Sequence, residues 1–295
     1  MTPKRRDFLK MMMLAGTGMA LTPKLISCKS AKRSGYITDI GVCTSVNNAE
    51  LLAQNGYDYI EEAVGRFLVP AADEDTFLSN LEIASRLPIP VRACNNFIPG
   101  SLKSVGPDAA HQDILQYTTT AFRRAQQAGI EYIVFGSGGS RRVPEGFPHQ
   151  EAIEQFVSLV KLIAPVAGEY NVTMVLEPLR RAECNLINTV AYGARIVEMV
   201  GHPNFTLLAD IYHMLDMNES ADSIINHGSL IDHMHIAELE GRSMPGTHGE
   251  DFTPYFSAMK KIGYTGMISL EGNWSDMETQ ASSALNVVKE QMSNV

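Results

Sequence analysis

The sequence predicts a closed (β/α)8 barrel, a single domain over residues 31–295 preceded by an export signal, and three observations carry that expectation. Eight short apolar runs alternate with helix-period segments from Ile37 onward, as parallel β/α units require. The length of 295 residues exceeds an ordinary domain but suits one barrel, which runs roughly 200 to 250 residues as a unit. Four of the later runs deliver side chains able to share one ligand: VTMVLEPL ends on Glu177, FTLLADIYHM carries Asp210, IDHMHIAELE carries His235, and GMISLEGNW carries Glu271. In a closed barrel these strand ends are neighbours on one rim. In an open doubly wound sheet, the structural alternative, they would spread along a line.

Taken in order, the first strand is expected at Ile37 to Cys43, followed by a short helix capped at Asn47 or Asn48 and stopped by Gly56. A second strand lies near Tyr57 to Glu62. Pro70 to Leu87 carries Phe77, Leu81 and Ala84 at helical spacing, and the third strand, IPVRACN, follows Pro88. From Asp108, the positions Ile114, Tyr117, Ala121, Ala125 and Ala128 mark the clearest amphipathic helix, with Gly129 at its stop. The fourth strand, EYIVFGSGG, ends in Gly136, Gly138 and Gly139; these match no nucleotide fingerprint, and with no helix directly behind them a plain loop is expected. Then come a helix from Gln150 to Tyr170, a fifth strand from Val172 to Glu177, and a helix from Asn188 to Val200 closed by Gly201 and Pro203. The sixth strand is Phe205 to Asp210; a shorter helix from about Ser220 leads to the seventh at Ile231. Thr253 to Ile262 leads to the eighth, Gly266 to Glu271, and Asp276 to Met292 is the last helix.

Residues 1–30 stand apart. Arg5 and Arg6 precede a modest apolar run from Leu9 to Leu21 that breaks at Pro23, the layout of a twin-arginine export signal. The run is too short for a membrane helix of about 20 residues. Leu25-Ile26-Ser27-Cys28 resembles a bacterial lipobox, so Cys28 is expected to be lipidated and the mature protein to be exported, either periplasmic or tethered to a membrane by that lipid alone. The remaining cysteines, Cys43, Cys94 and Cys184, have no metal-ligand spacing, and the first two fall in apolar strands where reduced thiols are the common case.

Hydrophobic residues at 45% and charged ones at 19% describe a globular chain with ample core. A net charge of −9 argues against a nucleic-acid partner, which needs clustered Lys and Arg to displace counterions. Small ligands are unaffected by that balance, and a homo-oligomer is compatible with it.

Two Glu, one Asp and one imidazole make a mixed oxygen and nitrogen set. It suits one divalent ion such as Mn²⁺, Mg²⁺ or Co²⁺ better than a structural zinc, which recruits thiolates. A single carboxylate at a strand end is most often a helix cap; several crowded into one barrel mouth are costly unless paired or bound to a cation.

The motifs EPLRRAEC, ADIYHM, HMHIAELEGRSMPGTHG and SLEG, in that order, resemble those of the xylose-isomerase-like TIM barrels of the sugar phosphate isomerase/epimerase group, nearest to tagatose or psicose 3-epimerases and hydroxypyruvate isomerases. The resemblance spans about Ile37 to Val288. It implies that Glu177, Asp210, His235 and Glu271 bind the metal, that Glu177 and Glu271 form the acid/base pair on opposite faces of a sugar, and that Glu183, His213 and Arg242 hold substrate hydroxyls or the developing oxyanion. Two departures stand out: Arg180 replaces a frequent Asn, and the interval from His235 to Arg242 is one residue longer than in the epimerases. The implied reaction is proton abstraction beside a carbonyl through an enediolate, with return of the proton on the other face in an epimerase or at the neighbouring carbon in an isomerase.

Four further residues carry two readings each. His233, two before His235, points to the same side of its strand and either supports His235 or is a hydrogen-bonded core histidine. His248 either reaches substrate or lies on the surface, the more common case. Glu62 ends the second strand and either faces the same rim or, since the adjacent Glu61 shows that the strand tolerates outward charge, points outward. Trp274 either stacks on a sugar or packs the rim. The expected substrate is a keto sugar or 3-keto glycoside without phosphate. A lyase on the same substrates and a non-catalytic sugar-binding lipoprotein are the alternatives; an endonuclease IV-like repair enzyme would need more histidine ligands and a basic face.

Overall fold

Short apolar runs bounded by Gly, Pro and Asn become the strands β1 (Asp39–Cys43), β2 (Tyr59–Ala63), β3 (Val91–Asn95), β4 (Tyr132–Phe135), β5 (Thr173–Leu176), β6 (Phe205–Asp210), β7 (Ile231–Ile236) and β8 (Met267–Leu270). In the computed structural model residues 38–295 are described; Arg5, Arg6, the apolar run after them and Cys28 lie outside these residues. Each strand pairs in parallel with the next and β8 returns to β1, so the sheet closes into a barrel. Covered on both faces, the strands read as nearly continuous apolar sequence.

Helices form where the periodicity predicts them, with ends set by caps. The helix His111–Ala128 buries Ile114, Ala121 and Ala125 and closes on Gly129 in a left-handed conformation at φ 72°. It starts three residues after the expected Asp108. Thr189 opens the helix Val190–Val200 by accepting from Tyr192 N at 3.1 Å. The expected helix over 70–87 is shorter, Glu74–Ala84, because Asp73 caps it and accepts from Thr76 N at 2.9 Å. The glycine segment after β4 is not a plain loop. Gly138–Arg141 makes one helical turn, entered through Ser137 at φ 40°.

Inside the barrel, alternate side chains of each strand stack in layers. Tyr59, Ala93 and Met267 pack together with Tyr132 beside them, and Val134, Val175 and Leu208 form another apolar group. Toward the carboxyl ends of the strands the filling turns polar, with Glu61, His233, His235 and Ser269 each fully buried.

Candidate metal and sugar site

Every side chain singled out as a ligand sits where its strand ends, at the C-terminal mouth. Glu177 directly follows β5, Asp210 closes β6, His235 is the penultimate residue of β7, and Glu271 directly follows β8. One ligand atom from each lies within 4.8 Å of those of the others. An octahedral ion with bonds near 2.1 Å sets opposite ligands about 4.2 Å apart, so the set is close to one coordination sphere. His235 Nδ1 is 3.3 Å from Glu177 Oε1 and 3.1 Å from Glu271 Oε2.

Asp210 is divided between two duties. Its Oδ1 caps the helix Ile211–Asp216, accepting from Tyr212 N at 2.8 Å and His213 N at 3.4 Å. Its Oδ2 is buried with no hydrogen-bond partner, as is His213 Nε2, 3.4 Å away. Orphaned buried acceptors among carboxylates are what a divalent cation satisfies, so the residues present fit the ion. Glu177 leaves no room behind it: a Cβ on Gly136 would lie 2.1 Å from Glu177 Oε2. Among the described residues, the groups able to share an ion number three, and all include His235.

Above these ligands lies a cleft of about 310 Å³ lined by Asn95, Ser137, Glu177, Glu183, Arg242 and Glu271, among others. Such a volume falls within the range of small-ligand sites. A family model described as the xylose isomerase-like TIM barrel matches residues 49–291. The chain belongs to this family. It is 27% identical over 230 residues to an L-ribulose 3-epimerase of a Methylomonas species, covering 76% of this chain and 77% of that one. With a D-psicose 3-epimerase of Ruminiclostridium cellulolyticum it shares 33% identity over 119 residues, 40% of each chain. By fold it is similar to a D-psicose 3-epimerase with D-tagatose from Clostridium cellulolyticum, with a TM-score of 0.75, 21% identity, and coverage of 86% of this chain and 99% of the other. The apo 3-keto-D-glucoside 4-epimerase of E. coli gives a TM-score of 0.74 at 18% identity, covering 86% of this chain and all of that one.

In this xylose isomerase-like barrel the two acid/base candidates have unlike surroundings. Glu177 is buried, and burial together with the nearby charge of Glu271 raises its pKa above the usual carboxylate range. Glu271 is partly exposed and held by donors: Arg242 Nη2 at 2.5 Å, Asn95 Nδ2 at 3.1 Å and His235. Burial works against ionised Asp210, but the charges of His213 and Arg242 outweigh it and hold the carboxyl below its ordinary range.

The residues expected to face substrate also gather here. Arg242 stacks over the Tyr212 ring at 4.7 Å and lies 3.5 Å from Glu183 Oε1. Glu183 accepts from Arg180 Nε at 2.8 Å, and His213 Nε2 stands 3.8 Å from it. Arg242, Asn96 and Ser137, all on the cleft, have positive φ of 48°, 49° and 40°. Backbone strain of this kind gathers at functional sites. His248 lies on the exposed loop, 3.3 Å from Ser243 Oγ and 3.7 Å from Glu240, and does not line the cleft. Trp274 packs against the core instead of lining the cleft.

Two expectations on β2 are corrected. Glu62 does not face the metal-ligand set: its carboxylate accepts from Val46 N and Ala63 N at 2.8 Å each and pairs with Arg66, on the helix side of the strand. Glu61 is not outward charge but points into the barrel, fully buried. It accepts from His233 Nε2 at 2.8 Å, His235 Nε2 at 3.0 Å and Ser269 Oγ at 2.6 Å. Burial would raise its pKa, yet the two imidazoles hold it well below the ordinary carboxylate value. His233 is therefore a hydrogen-bonded interior histidine that shares Glu61 with His235 beside it. Asn95, at the end of β3, also reaches the site by donating to Glu271, and nothing in the sequence separates it from the turn-forming Asn96 beside it.

Proposed function

We propose that the protein is an exported, divalent-metal-dependent epimerase or isomerase of a keto sugar or 3-keto glycoside, acting by proton transfer at the carbon beside a carbonyl. The single observation that carries this is the convergence of Glu177, Asp210, His235 and Glu271 within one ion's span, at the floor of a polar cleft. The relatives named above are sugar epimerases, one on a ketopentose and one on a 3-keto glucoside, which supports the substrate class.

A divalent cation held by these four residues, Mn²⁺, Mg²⁺ or Co²⁺, would supply the positive charge that makes a carbon acid beside a carbonyl strong enough to deprotonate. The rest is done by the chain's own side chains. One of Glu177 and Glu271 takes the proton from carbon, and the other delivers a proton to the opposite face of the enediolate, inverting the centre. His213 stands 3.9 Å from Glu177 and Arg242 2.5 Å from Glu271, and the two hold the hydroxyls and the oxyanion of the sugar between the carboxylates. Positioned carboxylates of this kind contribute ~10² to 10⁴ in rate each.

A substrate without phosphate is supported by the arginines. Arg141 is fully buried and donates to the Glu177 carbonyl, Arg142 donates to the Ala182 and Glu183 carbonyls, and Arg180 pairs with Glu183 and Asp216. Burial on a backbone carbonyl takes Arg141 out of reach of a phosphate, and two carboxylates already balance the charge of Arg180. Export is proposed from Arg5, Arg6 and Cys28 alone.

The test is isotopic. Metal-loaded protein is incubated in D₂O with a panel of ketoses and 3-keto glycosides, and NMR follows deuterium at carbon. Exchange at a carbon next to the carbonyl, abolished by chelation and by Glu177→Gln or Glu271→Gln, is expected. Ligand binding without exchange on every candidate would turn the protein into a sugar binder.

A further inference from the structure

Glu61 is a buried carboxylate that the proposed reaction does not use. It is fully buried inside the barrel and, from β2, meets side chains of β7 and β8, three and two strands away around the ring. A carboxylate accepts hydrogen bonds and donates none. Its Oε2 lies 2.8 Å from His233 Nε2 and 2.6 Å from Ser269 Oγ, and its Oε1 lies 3.0 Å from His235 Nε2. Both imidazoles must therefore carry hydrogen on Nε2. Ser269 in turn donates to Glu61 and receives from the Tyr59 hydroxyl at 2.8 Å.

With Nε2 of His235 committed to Glu61, the nitrogen left for any other partner is Nδ1. That atom faces Glu177 Oε1 and Glu271 Oε2, two carboxylates that also only accept. The ring has little freedom to turn away. His233 meets it edge-on at 5.1 Å and 82°, and Tyr132 stacks on His233 at 5.7 Å and 9°.

We propose that Glu61 is a positioning residue for the metal centre: by holding the Nε2 hydrogens of His233 and His235 from beneath, it turns Nδ1 of His235 into the ligand set. This rests on the metal reading above. Glu61 touches no substrate, so its effect is on the ion. Carboxylates that hold a ligating histidine are typically worth 10- to 100-fold in metal affinity. Gln cannot replace Glu61 silently, since it presents one accepting and one donating end where both imidazoles need an acceptor.

The test compares wild-type protein, Glu61→Gln and Glu61→Asp, all matched for folding by circular dichroism and melting temperature. Mn²⁺ affinity is read by calorimetry. The His235 ring nitrogens are read by ¹⁵N NMR in the metal-free protein and with diamagnetic Mg²⁺. Glu61→Gln is expected to bind Mn²⁺ about 10- to 100-fold more weakly and to shift the Nε2–H signal of His235 or His233, while Glu61→Asp, which keeps both acceptors, recovers part of the affinity. Unchanged Mn²⁺ affinity with unchanged ring signals in Glu61→Gln overturns the proposal. Should Glu61→Gln not fold, the same two readouts on Glu61→Asp decide, with wild-type values overturning it. A wild-type chain that binds no Mn²⁺ sinks the metal reading instead, and the metal-free ring spectrum then decides on Glu61 alone.

Discussion

Glu177 and Glu271 come from equivalent places on β5 and β8, yet removing their charges has opposite physical consequences. Glu177 is buried with its ionised form disfavoured, so Glu177→Gln relieves a desolvated charge and is expected to leave the metal-free melting temperature level or higher. Glu271→Gln leaves Arg242 one neutral acceptor in place of an ion pair and sets an NH2 against the Asn95 amide, and losing such charge-assisted bonds costs about 1–3 kcal/mol. Calorimetry of the two variants without metal reads this difference, and a lower melting temperature for Glu177→Gln than for Glu271→Gln would refute it. Both variants are expected to lose turnover by ~10² to 10⁴. At this scale the convergence of the four candidate ligands was legible, because each member ends an apolar run with a residue type that metals take. Glu61 was not, since two adjacent glutamates face opposite ways and the sequence does not say which one goes inward. Tyr59 and Ala63 share the parity of Glu61, but neither is apolar or polar enough to announce an interior position.

The loops over the mouth are built by charges used as caps. Glu238, fully buried two residues past β7, accepts backbone N–H groups from Gly246 at 2.7 Å, His248 at 2.5 Å and Gly249 at 3.2 Å, and so shapes the loop that carries Arg242. On the far side, Arg124 is buried under the segment before the helix Glu74–Ala84 and donates to the carbonyls of Leu68, Val69, Ala72 and Asp73. Arg124→Met would leave four carbonyls short of a donor, and a loss of about 3 kcal/mol in a urea unfolding curve is expected. This network also explains why the expected helix over 70–87 begins late: its first residues are spent on Arg124, a long-range partner that no local period reveals. Glu74 adds a pH dependence. Hydrogen bonds from Arg123 and Arg124 lower its pKa to about 2 from an ordinary 4.5. A carboxylate depressed on folding contributes stability that is complete above its unfolded value and is lost as pH falls from about 4.5 through 2. Unfolding curves of wild type and Glu74→Gln should therefore converge on acidification through that window. Parallel curves across it would dismiss the linkage.

The four candidate ligands come from four consecutive strands, β5 to β8, so an ion bound by them would tie half of the barrel's circumference to one point. Closure makes this possible, because strand ends distant in sequence become neighbours on one rim. The alternation of eight runs foretold parallel β/α units, and the carboxylates and imidazole at the ends of the last four argued for closure over an open sheet; the glycine turn Gly138–Arg141 was not foreseen, since a single helical turn is too short to carry a period. An ion that binds only the folded chain stabilises it by RT ln(1 + [M]/Kd), about 2.7 kcal/mol at a hundredfold excess over Kd. For a barrel of this size that is roughly 5 to 10 °C in melting temperature. Mn²⁺ added to chelator-treated protein should produce such a rise, and EDTA should reverse it. Asp210→Ala removes one ligand and uncaps the helix Ile211–Asp216, so it lowers the starting temperature by itself. The decisive quantity is therefore the increment on adding Mn²⁺, expected to vanish in Asp210→Ala and in His235→Ala but to survive in His248→Ala, whose ring lies on the outer loop. An equal increment in all three variants would place the ion elsewhere on the protein, and with it any chemistry that depends on the ion.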